Sequence, residues 1–222
     1  MKKLESELED LRSRVSKMGS LTESMVRQVV QIVHGIDQGD FYHEMITQEE
    51  SLDQLQVEVD KEAVRLLTVY APVASDLRFV LSVTRVSAEL ERIGDQCKNI
   101  CGSVQLMRSK GLTCGNSHVK KMAEEVSTMV REAMDSFVKN DSHRARAIIA
   151  SDDVVDAMND QVLDELLSDD VVRRGIEQPV DLAGTMAQIL LTRSLERIGD
   201  QATNICEEVV YMVKGDDIRH QN

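Results

Sequence analysis

The sequence predicts an all-α protein that consists of two tandem antiparallel three-helix bundles. Among its 222 residues only 11 are glycine and two are proline, which leaves few residues suited to the turns of an all-β fold. Apolar residues recur at helical spacing through most of the chain, and one motif occurs in both halves. The repeat and the helical periodicity together predict the two bundles.

An internal repeat divides the chain. Two stretches are identical between the halves: Leu-Glu-Arg-Ile-Gly-Asp-Gln at 90–96 and 195–201, and Asn-Ile-Cys at 99–101 and 204–206. We therefore predict two similar domains, residues 1–111 and 112–222, related by a pseudo-twofold axis. The linker between them is expected at Ser109–Ser117.

Each half contains three predicted helices. Gly39 is a suitable left-handed stop for the first helix, Asp40 is placed to cap the second, and Pro72 suits the first turn of the third. The expected helices are Lys3–Asp37, Asp40–Thr68 and Pro72 onward in the first half, and a helix around Met129, Asp141–Ser168 and Pro179–Lys214 in the second.

The third helix of each half carries apolar residues spaced three and four apart, which is the pattern of a heptad seam. In the first half these residues are Phe79, Val83, Val86, Leu90, Ile93, Cys97, Ile100 and Val104. In the second half they are Leu195, Ile198, Ala202, Ile205, Val209 and Met212. The pattern predicts that these residues are buried in the bundles.

The acidic composition limits the classes of partner. With 39 acidic and 26 basic side chains the formal net charge is −13, so nucleic acid and anionic membranes are unsuitable partners, whereas cations and basic protein surfaces are suitable. No apolar run is long enough to span a membrane, and the N-terminus lacks the apolar core of a signal peptide. We therefore expect a cytoplasmic protein whose cysteines are reduced. The four cysteines are expected to be small core residues, and the alternative is that they bind metal: Cys97, Cys101, Cys114 and Cys206.

Acidic side chains four residues apart form rows along several predicted helices. Helical geometry places such residues on one face, and antiparallel neighbours can bring two rows together. With Leu90 at heptad position a, the row on the third helix points away from the seam and is expected on the outer surface. Four such carboxylates per repeat suit a bound cation such as Mg²⁺, Mn²⁺, Ca²⁺, iron or zinc. The candidate metal ligands are Glu49, Asp53, Glu91, Asp95, Asn99, Asp152, Asp156, Glu196, Asp200 and Asn204.

A solvated acidic face, with Arg92 and Arg197 as partial counterions, is the alternative interpretation of these rows. Gly94 and Gly199 lie between the Glu and the Asp of each row, where glycine costs roughly 1 kcal/mol of helix stability relative to alanine. The missing Cβ indicates a close approach by another group, or else a tolerated weak position.

At these residues the sequence resembles the PhoU family of phosphate-signalling proteins. The resemblance covers nearly the whole chain and rests on the tandem repeat, the acidic pairs, the two Glu-Arg-Ile-Gly-Asp stretches, and Pro-Val-Ala-Ser-Asp-Leu-Arg at 72–78. The second half departs from this last segment, with Gln-Pro-Val-Asp-Leu at 178–182. The resemblance implies that the acidic pairs bind multinuclear iron or zinc clusters. It also implies a cytoplasmic accessory protein that links a phosphate ABC transporter ATPase to a sensor histidine kinase and represses the phosphate-starvation response.

Three functions remain to be distinguished. The first is a non-catalytic, metal-binding adaptor, which could be a homodimer. The second is a ferritin-like metalloenzyme, which needs Glu-x-x-His motifs that the sequence lacks. The third is a ligand-free structural protein. The sequence contains no glycine-rich P-loop, and its five histidines share no spacing, so we expect no enzyme activity.

Overall fold

The structure, a computed structural model, describes residues 2–36, 39–114, 116–169, 171 and 179–219, which form helices and no strands. The helices are α1 (Lys2–Val33), α2 (Phe41–Tyr70), α3 (Ala74–Ser109), α4 (Ser117–Lys139), α5 (Ser142–Ile149), α6 (Asp152–Leu166) and α7 (Pro179–Lys214). At 1.5 Å per residue, the 36-residue helices α3 and α7 are each about 54 Å long. None of the described helices combines the length and apolar character needed to cross a membrane.

Two bundles share one core. Helices α1, α2 and α3 pack together as the first bundle, and α4 to α7 form the second. Helix α3 also packs closely against α7, and α1 contacts α4, so buried residues of both bundles belong to a single apolar cluster. All the predicted seam residues of α3 and α7 are buried. The prediction of an all-α tandem of three-helix bundles is confirmed.

The first helix ends earlier than predicted. Helix α1 stops at Val33, and Gly35, with φ +80°, takes the left-handed position that the sequence analysis assigned to Gly39. The Gly35 N–H donates to the Ile32 carbonyl at 3.0 Å, as in a left-handed helix stop. Gly39 also has a positive φ, but it lies in the loop before α2. The predicted end at Asp37 lies outside the described residues.

The connection from α2 to α3 places Pro72 differently than expected. Asp40 caps α2 as predicted and accepts a hydrogen bond from the His43 N–H. Helix α3 begins only at Ala74, so Pro72 precedes the helix and does not lie in its first turn. A proline disfavours the right-handed helical conformation in the residue before it. Ala71 ends α2 in the left-handed region, with φ +43°, and its N–H donates to the Leu67 carbonyl.

The second helix of the second bundle is interrupted, and the prediction of one helix from Asp141 to Ser168 is wrong. Asp141 caps α5, and its side-chain carboxylate accepts hydrogen bonds from two backbone N–H groups. Helix α5 ends at Ile149, however, and α6 starts at Asp152. Asp152 and Asp153 lie in the first turn of α6, where carboxylates interact favourably with the positive end of the helix dipole. This interaction favours a new helix start. Helix α7 begins at Pro179 as predicted, whereas residue 178 lies outside the described chain.

Glycines allow the second and third helices of each bundle to pack closely. A Cβ added to Gly94 of α3 would lie 2.5 Å from Leu52 Cδ2 of α2. A Cβ added to Gly199 of α7 would lie 3.3 Å from Val155 Cγ1 of α6. Leu52 and Val155 are equivalent residues of the repeat. The group that approaches each glycine is therefore a side chain of the neighbouring helix.

A buried ion-pair network joins the two bundles. Glu208 of α7 is only 4% exposed, and its carboxylate accepts hydrogen bonds from Arg85 of α3 at 3.1 Å and from Arg219 at 3.4 Å. Both guanidinium groups also lie near the ring of Tyr211. A buried carboxylate is costly unless it is paired, and here two cations compensate its charge.

The cysteines behave as core residues. Cys97, Cys101 and Cys206 are buried, Cys114 is half-buried, and none forms a disulfide with another described cysteine. Burial raises the pKa of the thiols of Cys101 and Cys206 to about 12, so both groups are protonated at neutral pH. These three helical cysteines are therefore the small core residues that the sequence predicted.

Alanine substitutions at the two glycines should have different effects on stability. Helix propensity favours alanine by about 1 kcal/mol at either position. At Gly94 the new methyl group would overlap Leu52, and overpacking costs about 1–3 kcal/mol. We expect Gly94→Ala to lower the free energy of unfolding by about 1 kcal/mol and Gly199→Ala to leave it unchanged or higher. Chemical denaturation followed by circular dichroism measures both values, and a stabilised Gly94→Ala protein would contradict this prediction.

Candidate metal centre

Each bundle gathers four carboxylates where its second helix meets its third helix. We define a first cluster, in which α2 supplies two residues and α3 supplies two, and a second cluster, in which α6 and α7 do the same. The first cluster consists of Glu49, Asp53, Glu91 and Asp95. The second cluster consists of Asp152, Asp156, Glu196 and Asp200. The acidic rows of neighbouring helices therefore do come together, as their spacing suggested.

The first cluster lies partly in the groove between α2 and α3, whereas Asp156 and Asp200 of the second cluster are exposed, as the predicted outer-surface position of the rows requires. Glu49 is only 7% exposed, and Glu91 and Asp95 are half-buried. Helix α2 covers this face of α3 because Leu52 packs against Gly94. The heptad position correctly places the row away from the α3 seam, but it does not reveal which helix lies beside it.

Lys98 of α3 supplies a positive charge inside the first cluster. Its ammonium group forms an ion pair with Glu49 and lies 3.5 Å from Asp95 Oδ1. Burial alone would lower the pKa of Lys98, but the hydrogen bond to Glu49 and the charge of Asp95 raise it overall. Burial and the charges of Asp95 and Asp53 raise the pKa of Glu91. The first cluster is therefore crowded but partly neutralised from within.

The second cluster brings its carboxylates closest together. One oxygen atom each from Asp156, Glu196 and Asp200 lies within 4.8 Å of the others. Burial and the charges of Asp200 and Asp156 raise the pKa of Asp152 to about 6. Burial and the charge of Glu196 raise the pKa of Asp200 to about 6, and burial and Asp156 raise the pKa of Glu196 as well. The ionised forms are thus disfavoured unless a cation is added.

Two oxygen atoms at the second cluster are buried without a hydrogen bond. They are Asp152 Oδ1 and Thr203 Oγ1, and neither finds a partner within the described part of the chain. Thr203 is 8% exposed, and a polar interaction of its hydroxyl with the Asp152 carboxyl, which falls short of a well-formed hydrogen bond, lowers the pKa of that carboxyl. Buried polar atoms are normally satisfied, so this pair marks a position where a bound cation or water would find oxygen ligands.

One position of the repeat is important for the clusters although the sequence pattern does not reveal it. Lys98 follows Asp95 by three residues, and Thr203 follows Asp200 by three residues, so the two are equivalent. Aligning the two halves of the sequence shows that one residue is charged and the other neutral. Only the contacts in the structure show that the residue at this position faces the carboxylate cluster.

The two asparagines of the predicted rows are placed differently from the carboxylates. Asn99 is exposed on α3. The Asn204 amide donates to Glu89 Oε2 at 3.4 Å, in the contact between α3 and α7. The proposals below therefore rest on the carboxylates.

The second cluster has a donor set that fits a metal ion. Carboxylate oxygens bind Mg²⁺, Mn²⁺, Ca²⁺ and iron, and zinc also accepts them. Three oxygens within 4.8 Å of one another can converge on one ion when their side chains rotate toward it. Because Asp156 belongs to α6 and the other two residues belong to α7, an ion held there would connect the two helices and neutralise their charge.

Comparison with known proteins identifies the family. The model of the PhoU domain matches residues 15–104 and again residues 119–209, one match in each bundle. The chain belongs to the PhoU family. The tandem arrangement inferred from the repeat is thus the arrangement of two PhoU domains.

Several members of the PhoU family are similar along nearly their whole length. The phosphate-specific transport system accessory protein PhoU homolog of Pseudomonas putida is 35% identical over 97% of this chain and 82% of its own length. The PhoU protein of Escherichia coli strain K12 is 29% identical over 97% of this chain and 87% of its own. The crystal structure of PhoU from Pseudomonas aeruginosa is 33% identical, with a TM-score of 0.84 over 96% of this chain and 99% of that one. The phosphate transport system regulatory protein PhoU from Streptococcus pneumoniae, at 22% identity, has the same TM-score and shows the shared fold.

The raised pKa values predict how the stability of the metal-free protein depends on pH. Asp152 and Asp200 have pKa values of about 6 in the folded protein and near 3.8 when unfolded, so the folded state takes up protons first as the pH falls. The free energy of unfolding should therefore rise as the pH is lowered from about 7 to about 5. Thermal melts in the presence of a chelator measure this dependence.

The double variant Asp152→Asn/Asp200→Asn is the control for this prediction. It removes both titrating groups, so its stability should exceed that of the wild type at about pH 7 and the difference should shrink toward about pH 5. A difference that grows as the pH falls would show that these two carboxyls do not have raised pKa values.

Proposed function

We propose that this PhoU-family chain is a cytoplasmic, non-catalytic regulator of phosphate uptake and of the phosphate-starvation response. Its relatives are named accessory proteins of the phosphate-specific transport system. In this role the chain would act as an adaptor between the ATPase of a phosphate ABC transporter and a sensor histidine kinase. The observation that carries the proposal is the pair of PhoU domains with a carboxylate cluster in each.

The proposal includes metal binding by the carboxylate clusters. Asp156, Glu196 and Asp200 supply converging oxygens, and Asp152 and Thr203 add buried oxygens without hydrogen bonds. Iron or zinc is the metal that the family resemblance implies, while Mg²⁺, Mn²⁺ and Ca²⁺ suit the same donors. Bound metal would supply positive charge on an otherwise acidic surface and fix the second helix of a bundle to its third.

The overall charge supports an adaptor that recognises proteins. A formal net charge of −13 favours association with basic protein surfaces through complementary potentials, and disfavours nucleic acid. The titratable groups of the two clusters are all carboxylates apart from Lys98, and their shared feature is crowding of negative charge. This composition suits ion binding and provides no pairing of a nucleophile with a general base.

One observation favours a second candidate, a helical-bundle interaction protein that binds no metal. Lys98 already neutralises part of the first cluster through Glu49 and Asp95. A chain that balanced all its carboxylates in this way would need no ion. The second cluster, which has Thr203 in place of the lysine, is the reason that we prefer the metal-binding proposal.

Metal content provides the first test of the proposed function. Protein purified without added metal should contain tightly bound metal by elemental analysis. The double variant Asp156→Asn/Asp200→Asn should lose most of it, because two of the three converging carboxylates are neutralised, while helicity by circular dichroism is unchanged. Asp164→Asn, an exposed carboxylate two turns further along α6, is the matched control and should keep the metal. Metal-free wild-type protein, or equal metal in all three proteins, would support the ligand-free candidate.

Gene expression provides the second test. Deletion of the gene should derepress phosphate-starvation genes in cells grown with abundant phosphate, because the proposed regulator holds that response off. Reintroduction of the wild-type chain should restore repression, and the purified chain should retain the transporter ATPase or the kinase in a pulldown. Unaltered expression after deletion would contradict the regulatory role even if the chain binds metal.

A further inference from the structure

The two clusters differ at one equivalent position of the repeat, where one cluster has a positively charged side chain and the other a neutral one. In the first cluster Lys98 places its ammonium group against Glu49, whose side chain is 10% exposed, and 3.5 Å from Asp95. In the second cluster the equivalent residue is Thr203. The lysine therefore lies among the carboxylates at the place where the other cluster has a neutral hydroxyl.

No lysine or arginine takes over this role in the second cluster. Within the described residues, Asp152, Asp156, Glu196 and Asp200 form no ion pair with a basic side chain. Arg197 lowers the pKa of Asp200, and Arg197 and Arg193 lower that of Glu196, but burial and a neighbouring carboxylate have larger effects on each group. The described chain therefore compensates the negative charge of this cluster only in part, through arginines that form no ion pair with it.

The oxygen atoms of the second cluster are also arranged to accept an ion. Three carboxylate oxygens lie within 4.8 Å of one another, and Thr203 Oγ1 and Asp152 Oδ1 are buried without a hydrogen bond. Thr203 thus replaces the charge of a lysine with an additional oxygen. Oxygen ligands of this kind are those that hard divalent cations prefer.

We propose that Lys98 acts as a built-in cation that weakens metal binding at the first cluster, so that the second cluster is the preferred metal site of this chain. This inference rests on the proposed metal binding and assigns the two clusters different roles. A metal ion entering the first cluster must either displace the Lys98 ammonium group or bind beside a like charge. Neither cost arises at the second cluster.

Reciprocal substitutions at the equivalent position test the proposal. Mn²⁺ is the probe, because it prefers oxygen ligands to thiolates, and its binding to metal-stripped protein is measured by equilibrium dialysis. Glu91→Gln/Asp95→Asn inactivates the first cluster, and Glu196→Gln/Asp200→Asn inactivates the second. The test variants are Lys98→Thr and Thr203→Lys, and Lys98→Arg is the control that keeps the charge.

We expect the wild type to lose most of its Mn²⁺ binding when the second cluster is inactivated and little when the first is inactivated. In protein with an inactivated second cluster, Lys98→Thr should raise the affinity for Mn²⁺ at least about tenfold, because a like charge about 4 Å away is removed. Lys98→Arg should not raise it. Thr203→Lys in otherwise wild-type protein should lower the affinity by a similar factor. Lys98→Gln replaces Lys98→Thr if the threonine variant loses helicity.

Two outcomes would overturn the inference in different ways. If the wild type binds Mn²⁺ equally at both clusters and Lys98→Thr leaves the affinity unchanged, Lys98 does not select the site, although the chain still binds metal. If the wild type binds no Mn²⁺ and elemental analysis finds no native metal, the proposed metal binding itself is wrong, and this inference is wrong with it.

Discussion

The close packing of the second helix on the third helix in each bundle is the constraint on which the rest of the structure depends. Gly94 and Gly199 lack the Cβ that would hold the neighbouring helix away, so Leu52 and Val155 reach the backbone of α3 and α7. The carboxylates that flank these residues in the sequence consequently face one another across the groove. At Gly94 a Cβ would overlap Leu52, so a larger residue there would push the acidic rows of the first cluster apart.

Crowding of this kind has an electrostatic cost, and the chain compensates it differently at three places. Like charges at such separations repel by a few kcal/mol even in an intermediate dielectric. Glu208, which is buried alone, has two guanidinium partners. The first cluster has one ammonium group for four carboxylates. The second cluster has no ion pair with a basic residue in the described chain, only weaker effects of nearby arginines, and burial and mutual repulsion raise the pKa of Asp152 and Asp200.

The architecture was predictable from the sequence because periodicity and repetition are properties of the sequence alone. Seam residues such as Leu90 and Leu195 report burial through their spacing, and spacing also placed the carboxylates of each row on one face. Local details were less predictable. Two glycines near the end of α1 both adopt positive φ, so their presence did not reveal which one ends the helix, and the break between α5 and α6 occurs without glycine or proline. The role of Lys98 depends on the position of α2, and the periodicity of residues within α3 gives no information about where α2 lies.

Covalent duplication has a genetic consequence for this protein. In an assembly of two identical subunits, every mutation is present in both copies, so the two sites of the assembly must change together. Here both PhoU domains belong to one chain, so a mutation can alter one of them and leave the other unchanged. The equivalent positions of the repeat hold different residues in this way, Lys98 in one domain and Thr203 in the other. The molecule therefore presents two related halves that differ in charge, which a binding partner can tell apart.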